Sequence, residues 1–188
     1  MEKFQNKYRI SSIRLQNWDY RWAGVYFITI CTQNRVHYFG EIKSGQMQLS
    51  PIGIIADILW YEIKNHFTNI KLDEFVVMPN HIHGVIIITN NNDHDNVMVE
   101  TGHALPLPSN KKTIGQQRFQ NIGKNSISSI VGSYKSAVTK HTHRLGFNFA
   151  WQTRFYDHII RDDKSFKKIS NYIIHNPANW QEDKLFRE

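Results

Sequence analysis

The chain has 188 residues, of which 40% are hydrophobic and 13% aromatic, so it is long and apolar enough for one domain with its own core and is not a disordered protein. No apolar run reaches the roughly 18 residues that cross a bilayer, and the single cysteine excludes a disulfide and a cysteine-based zinc site, so we expect a soluble, cytoplasmic protein. The net charge of +7 favours a polyanionic partner, with nucleic acid as the first candidate and a basic surface without a partner as the alternative.

The positive charge is concentrated in one part of the chain. Residues 111–168 contain twelve lysines and arginines against three acidic residues, a local charge of +9 that leaves −2 for the remainder. A regional excess of this kind is typical of a binding face.

The first half of the sequence predicts an arm followed by strands and one helix. In order, we expect an arm (1–23), a strand (24–32), a hairpin (38–42 and 47–49) and a helix (51–67). The strand is rich in β-branched and aromatic residues. The helix should begin after Ser50, because serine caps helices and Pro51 suits the first helical position.

The second half adds three strand regions and two helices. We expect strands at 70–78 and 83–89, a helix over 126–143, a strand region at 147–160 and a helix over 164–174, which must end near Asn176 because Pro177 follows. Residues 90–124 are turn-prone and predict a long excursion within a domain spanning 24–180, with 181–188 as a tail. This order predicts an α+β fold, a ferredoxin-like or RNA-recognition-like antiparallel sheet with packed helices.

Two histidines follow the turn between the strands at 70–78 and 83–89. His81 and His83 are two residues apart, so on a strand they project from one face while Ile82 points into the core. Two imidazoles converging at a sheet edge provide half of a divalent-metal site. A chance pairing is the alternative, and the apolar runs on both sides argue against it.

A tyrosine and an asparagine on the last helix are candidates for the other half of the site. Tyr172 and Asn176 are four residues apart and share a helix face, so a phenol and an amide oxygen could approach the same cation. A tyrosine is a poor nucleophile at its ordinary pKa of about 10, but a divalent cation that polarises a phosphate makes attack feasible. In the alternative interpretation Tyr172 packs on the sheet and Asn176 only ends the helix.

Three segments, in the same order along the chain, resemble the single-tyrosine HUH transposases of the IS200-like superfamily, and among them the REP-associated tyrosine transposases. They are Met-Pro-Asn-His-Ile-His-Gly (78–84), Trp-Gln-Thr-Arg-Phe-Tyr-Asp-His-Ile-Ile-Arg (151–161) and Tyr-Ile-Ile-His-Asn-Pro (172–177). The resemblance spans roughly 24–180 and implies an HUH endonuclease fold. It also implies Mg²⁺ or Mn²⁺ bound by His81, His83 and Asn176, and a 5′-phosphotyrosine formed by Tyr172 on hairpin-bearing single-stranded DNA.

Tyr156 is the competing nucleophile, because it lies beside His158 in a basic segment. It lacks a ligand-type residue one helical turn away, and the resemblance places it in an aromatic position of the family pattern. We therefore expect Tyr156 to contact DNA. The full set of expected DNA contacts is Lys135, Lys140, Arg144, Trp151, Arg154, Phe155, Tyr156, Arg161 and Lys168. His141 and His143 would diverge on a helix by about 200° and cannot chelate one ion.

These observations predict a metal-dependent enzyme that nicks and rejoins single-stranded DNA as a monomer or homodimer. A rolling-circle replication initiator or relaxase would share the histidine pair and the tyrosine chemistry. A catalytically silent nucleic-acid-binding module would need neither a metal nor a covalent intermediate.

Overall fold

The computed structural model describes Lys3–Phe4, Lys7–Tyr8 and residues 18–89 and 125–186. Its elements are β1 (Lys3–Phe4), β2 (Lys7–Tyr8), β3 (Gly24–Cys31), β4 (Gly40–Lys43), β5 (Gln46–Leu49), α1 (Pro51–His66), β6 (Ile70–Met78), β7 (His81–Ile88), α2 (Ile127–Arg144), β8 (Tyr156–Ile160) and α3 (Asp163–His175). Short 3₁₀ turns occupy Gln33–Arg35 and Trp180–Glu182. None of the helices in these described ranges is long and apolar enough to cross a membrane.

The main sheet has four strands in the order β6-β7-β3-β8, and every neighbouring pair is antiparallel. The chain β3-α1-β6-β7-α2-β8 therefore has the βαββαβ arrangement of a ferredoxin-like fold. This confirms the predicted α+β class. β1-β2 and β4-β5 form separate two-stranded pairs.

One face of the sheet is covered by α1 and α2 and contains the larger core. Tyr26, Ile28 and Ile82 are fully buried on this face. Trp60 of α1 stacks on Phe75, with the ring centroids 4.5 Å apart, and meets the ring of Tyr134 from α2 edge-on. The apolar stripe of each helix and the alternate residues of each strand supply these contacts.

The other face is covered by α3 and has a smaller core. Ile173 of α3 is fully buried against Phe27, Val85 and Ile160. Because side chains alternate along a strand, the residues of β7 that share this face include His81 and His83. The histidine pair therefore lies between the sheet and the segment that follows α3.

Three local expectations were wrong. The histidines are not at a sheet edge, since β7 lies between β6 and β3. β7 begins at His81, two residues before the predicted start. Of the region 147–160 only Tyr156–Ile160 forms a strand, because Phe149 and Trp151 turn into the aromatic core and only Trp151 bridges to Thr32. The excursion 90–124 and most of the arm 1–23 lie outside the described residues.

Candidate metal centre and tyrosine site

The histidine pair is buried and aimed at one point. The Nε2 atoms of His81 and His83 are 3.0 Å apart, and the two residues are 0% and 2% exposed. The Nδ1 atom of His81 lies 2.8 Å from Asn80 Oδ1, and that of His83 lies 2.8 Å from Thr29 Oγ1. Asn80 donates its amide hydrogen to the carbonyl of Leu185, so its oxygen accepts the proton of His81 Nδ1. The Nε2 lone pair of His81 therefore remains available to a metal.

Both imidazoles are neutral at pH 7. Burial lowers the pKa of His81 well below its ordinary value, and the neighbouring His83 and Arg35 lower it further. Burial also lowers the pKa of His83, to about 4, because the opposing effect of Asp183 is smaller and Arg35 again lowers it. A metal entering this site would not have to displace a proton from an imidazolium.

A carboxylate that the sequence analysis did not identify completes the cluster. Asp183 has a carboxylate oxygen within 4.8 Å of the ligand nitrogens of both His81 and His83. Its Oδ2 atom accepts hydrogen bonds of 2.7 Å from the Tyr172 hydroxyl and from Asn176 Nδ2. The only signal in the sequence was a carboxylate seven residues after Asn176, in what reads as a tail; the 3₁₀ turn at Trp180–Glu182 leads it back to the site.

Tyr172 and Asn176 both face this cluster, as their spacing predicts. The Tyr172 hydroxyl lies 3.1 Å from His83 Nε2. Burial, followed by the hydrogen bond to Asp183, raises the pKa of Tyr172 above its ordinary value, so the phenol is neutral at pH 7. Asn176 is the C-cap of α3, and its buried Oδ1 has no hydrogen-bond partner among the described residues. The capping interpretation and the ligand interpretation of Asn176 are therefore compatible.

The residues present fit a divalent cation. Two neutral imidazoles and one carboxylate have ligand atoms within 4.8 Å of one another, and Asn176, whose buried Oδ1 has no partner among the described residues, is held beside them by the hydrogen bond from its Nδ2 to Asp183. Nitrogen and oxygen donors of this kind suit Mn²⁺, and the oxygen donors suit Mg²⁺. The metal roles of His81, His83 and Asn176 remain predictions, to which the geometry adds Asp183.

Comparisons with known proteins bear on the family. No family model matches the chain. A Haemophilus influenzae protein named only as uncharacterized is 39% identical over 176 residues, which cover 93% of this chain and 92% of the relative. A second H. influenzae protein, named "Putative REP-associated tyrosine transposase", is 23% identical over 171 residues, 85% of this chain and 73% of its own. A solved structure described as a REP-associated tyrosine transposase bound to a REP hairpin matches 95% of this chain and 76% of the matched chain. The TM-score is 0.53 and the sequence identity 20%, so the two proteins share the fold.

The chain is therefore similar to a protein named as a REP-associated tyrosine transposase and shares the fold of another. Two tyrosines, Tyr156 and Tyr172, lie on the α3 face of the sheet. Tyr156 of β8 pairs with Thr29 and is 45% exposed, with its ring 6.4 Å from that of Phe27. In the part of the chain that the structure describes, no hydrogen bond joins the Tyr156 hydroxyl to either histidine. The geometry therefore favours Tyr172 over Tyr156.

The expected DNA contacts of α2 lie away from the histidine pair. Lys135, Lys140 and Arg144, called here the α2 basic set, belong to the helix that packs on the opposite face of the sheet. Lys135 donates hydrogen bonds to the carbonyls of Gln152 and Thr153, at 2.7 and 3.2 Å, so part of its role is to hold that loop. Lys140 and Arg144 are exposed.

The side chains of the remaining expected DNA contacts differ in how exposed they are. Trp151 and Phe155 are half-buried against the main core, and the Trp151 indole donates to the Lys135 carbonyl at 3.1 Å, so neither ring is a free stacking surface on all sides. Arg154, Arg161 and Lys168 are exposed. Arg161 and Lys168 lie just before and within α3, and their DNA contacts stay predictions.

Proposed function

We propose that this protein is a metal-dependent transposase that nicks and rejoins hairpin-bearing single-stranded DNA through a 5′-phosphotyrosine on Tyr172. The observation that carries the proposal is the Tyr172 hydroxyl, 3.1 Å from a buried histidine pair and 2.7 Å from Asp183. Similarity to the protein named "Putative REP-associated tyrosine transposase" supports transposase chemistry. The hairpin substrate is supported by the transposase of similar fold, which was solved in complex with a REP hairpin.

Four side chains would hold the cation: His81, His83, Asp183 and Asn176. A bound Mg²⁺ or Mn²⁺ would polarise the scissile phosphate and stabilise the charge that develops on it. The protein's part is to fix the donor positions, which it does through the hydrogen bonds of Asn80 and Thr29 to the two imidazoles.

Tyr172 supplies the nucleophile and Asp183 the base. The raised pKa of Tyr172 means that its phenol must lose a proton during attack, and Asp183 Oδ2 already accepts that hydrogen at 2.7 Å. The phenolic oxygen forms a bond to phosphorus while the bond from phosphorus to the upstream 3′-oxygen breaks. The departing 3′-oxygen takes up a proton and becomes a hydroxyl. Because the phosphotyrosine bond replaces a phosphodiester bond, rejoining needs no nucleotide triphosphate.

The test uses end-labelled hairpin-bearing single strands incubated with Mn²⁺ and resolved on a denaturing gel. Label on the 3′ side of the cut should migrate with the protein, and label on the 5′ side should be released. Tyr172→Phe removes one hydroxyl and should form no adduct while it folds and binds DNA normally. Tyr156→Phe is the matched control and should retain the adduct. Adduct formation by Tyr172→Phe but not by Tyr156→Phe would identify Tyr156 as the nucleophile instead.

Asp183→Asn separates the base from a purely structural role. The amide keeps the shape and can still accept a hydrogen bond from Tyr172, but it cannot take the proton as a carboxylate does. We expect adduct formation to slow by at least tenfold and the Mn²⁺ concentration for half-maximal activity to rise. DNA binding without any adduct from the wild type would indicate a silent nucleic-acid-binding module instead.

A further inference from the structure

The turn after β3 places an arginine in a strained conformation beside the histidine pair. Asn34 and Arg35 have φ values of 54° and 59°, which side-chain-bearing residues rarely adopt. The turn is tied down on both sides, because Gln33 N donates to Ala150 O at 2.9 Å and Thr32 N donates to Asn80 O at 2.9 Å. Strain of this kind persists where the surrounding structure enforces it, often at a functional site.

The Arg35 guanidinium is close to the site and forms no ion pair with any residue that the structure describes. It contacts Cys31, whose register partner on β7 is His81, and its positive charge lowers the pKa of both histidines. The ion pairs found within residues 18–89 and 125–186 are Arg21–Asp19 and Lys43–Glu41, and neither involves Arg35. In the same ranges its Nη1 is shielded from solvent without a hydrogen-bond partner. Turning the guanidinium outward would let an entering anion supply that partner.

A groove leads away from Arg35 toward α2. Its volume is about 340 Å³, and none of the described residues that line it is acidic; these are Gln33, Asn34, Arg35, Trp151, Gln152 and Thr153. Trp151 also lines a second groove, of about 430 Å³, whose walls include Lys135 and Lys140. Because Trp151 borders both grooves, they adjoin each other. One begins at the Arg35 turn and the other is bordered by the α2 lysines, so together they define one track.

We propose that Arg35 binds a backbone phosphate of the DNA strand engaged at Tyr172, and that the strand continues along this track to Lys135 and Lys140. This inference rests on the proposed function for the identity of the strand. A guanidinium suits the role because its planar fork can donate two parallel hydrogen bonds to one phosphate. Arg35 is then a positioning residue that sets where the scissile bond lies relative to Tyr172.

The first test measures binding alone, in EDTA, with fluorescein-labelled (dT)₁₅ and fluorescence anisotropy over a range of salt concentrations. Arg35→Gln should weaken binding about tenfold, and the slope of log affinity against log salt should become shallower by about 0.7, the value for one lost phosphate contact on a single strand. Arg35→Lys keeps the charge and should keep most of the slope. Lys64→Gln, on the exposed side of α1, is the control and should change neither quantity.

A loss of stability in Arg35→Gln would not by itself imitate this result, because a purely structural role would lower the melting temperature and leave the salt slope of the folded protein unchanged. If Arg35→Gln binds with the wild-type slope, the inference is wrong. If Arg35→Gln does not fold, the second test with Arg35→Lys still shows whether Arg35 binds a phosphate.

The second test replaces single phosphates of a cleaved hairpin strand with neutral methylphosphonates. At one linkage the replacement should slow cleavage by the wild type about tenfold. The same replacement should not slow cleavage by Arg35→Gln any further, and it should slow Arg35→Lys by less than it slows the wild type. Equal losses in the wild type and in both variants at every linkage would overturn the proposal. If the wild type forms no adduct with any strand, the proposed function is wrong. The salt dependence of binding by Arg35→Gln then still tests whether Arg35 contacts a phosphate.

Discussion

Gly84, the residue after the histidine pair, should be intolerant of even one added methyl group. A Cβ atom built on Gly84 would lie 2.3 Å from Cζ2 and 2.7 Å from Cη2 of Trp60, where ordinary contacts are 3.4–4 Å. Trp60 would have to move by about 1 Å, but it is 1% exposed, stacks on Phe75 and contacts Tyr134. Overpacking of this kind costs about 1–3 kcal/mol, and the rigid neighbours place Gly84→Ala at the upper end.

The assay is urea and thermal unfolding of Gly84→Ala beside a matched glycine. A loss of about 2–3 kcal/mol should lower the melting temperature by about 5–10 °C. Gly132→Ala in α2 meets nothing within 4 Å, so the same substitution there should stabilise the protein by about 0.5–1 kcal/mol through helix propensity. Trp60→Phe should recover part of the loss in the Gly84→Ala background. Equal stability of Gly84→Ala and the wild type would refute the packing of α1 on β7.

Three further predictions concern the site and the charge. Mn²⁺ at about 100 times its dissociation constant should add about 2.7 kcal/mol to the free energy of unfolding, which raises the melting temperature. His83→Asn should abolish this rise; an equal rise in the variant would show that the ion binds elsewhere. Because the pKa of His83 is about 4 in the folded protein against an ordinary 6.5, the unfolded chain binds more protons between these values. The metal-free protein should therefore lose stability, on the order of 2 kcal/mol, as the pH falls from 6.5 to 4; a flat profile in urea titrations contradicts the burial of a neutral imidazole. Replacing the α2 basic set by glutamine should make the salt slope of single-strand binding shallower by up to about two units, whereas an unchanged slope would remove α2 from the DNA path.

The sequence alone predicted the three helices, most of the strands of the main sheet and the pairings of residues that lie close together along the chain. Ser50 caps α1 as predicted, and Ser126 and Asp162 cap α2 and α3 in the same way; each side chain accepts a hydrogen bond from the backbone N–H three residues on. The alternation of β7 placed the two histidines together, and the four-residue spacing on α3 placed Tyr172 and Asn176 on one face. These features are local, because the direction of side chains repeats every two residues in a strand and about every 3.6 residues in a helix.

Only the tertiary structure determined what else surrounds the histidines. Asp183 reaches them through a turn after α3, and Arg35 through a strained turn after β3; neither position has a periodic signal, since each depends on how distant segments pack. Long-range strand pairing also places the histidine pair on an interior strand rather than at the predicted sheet edge. It also placed the α2 basic set across the sheet from Tyr172, because strand order and helix side are set by long-range pairing and burial rather than by neighbouring residues.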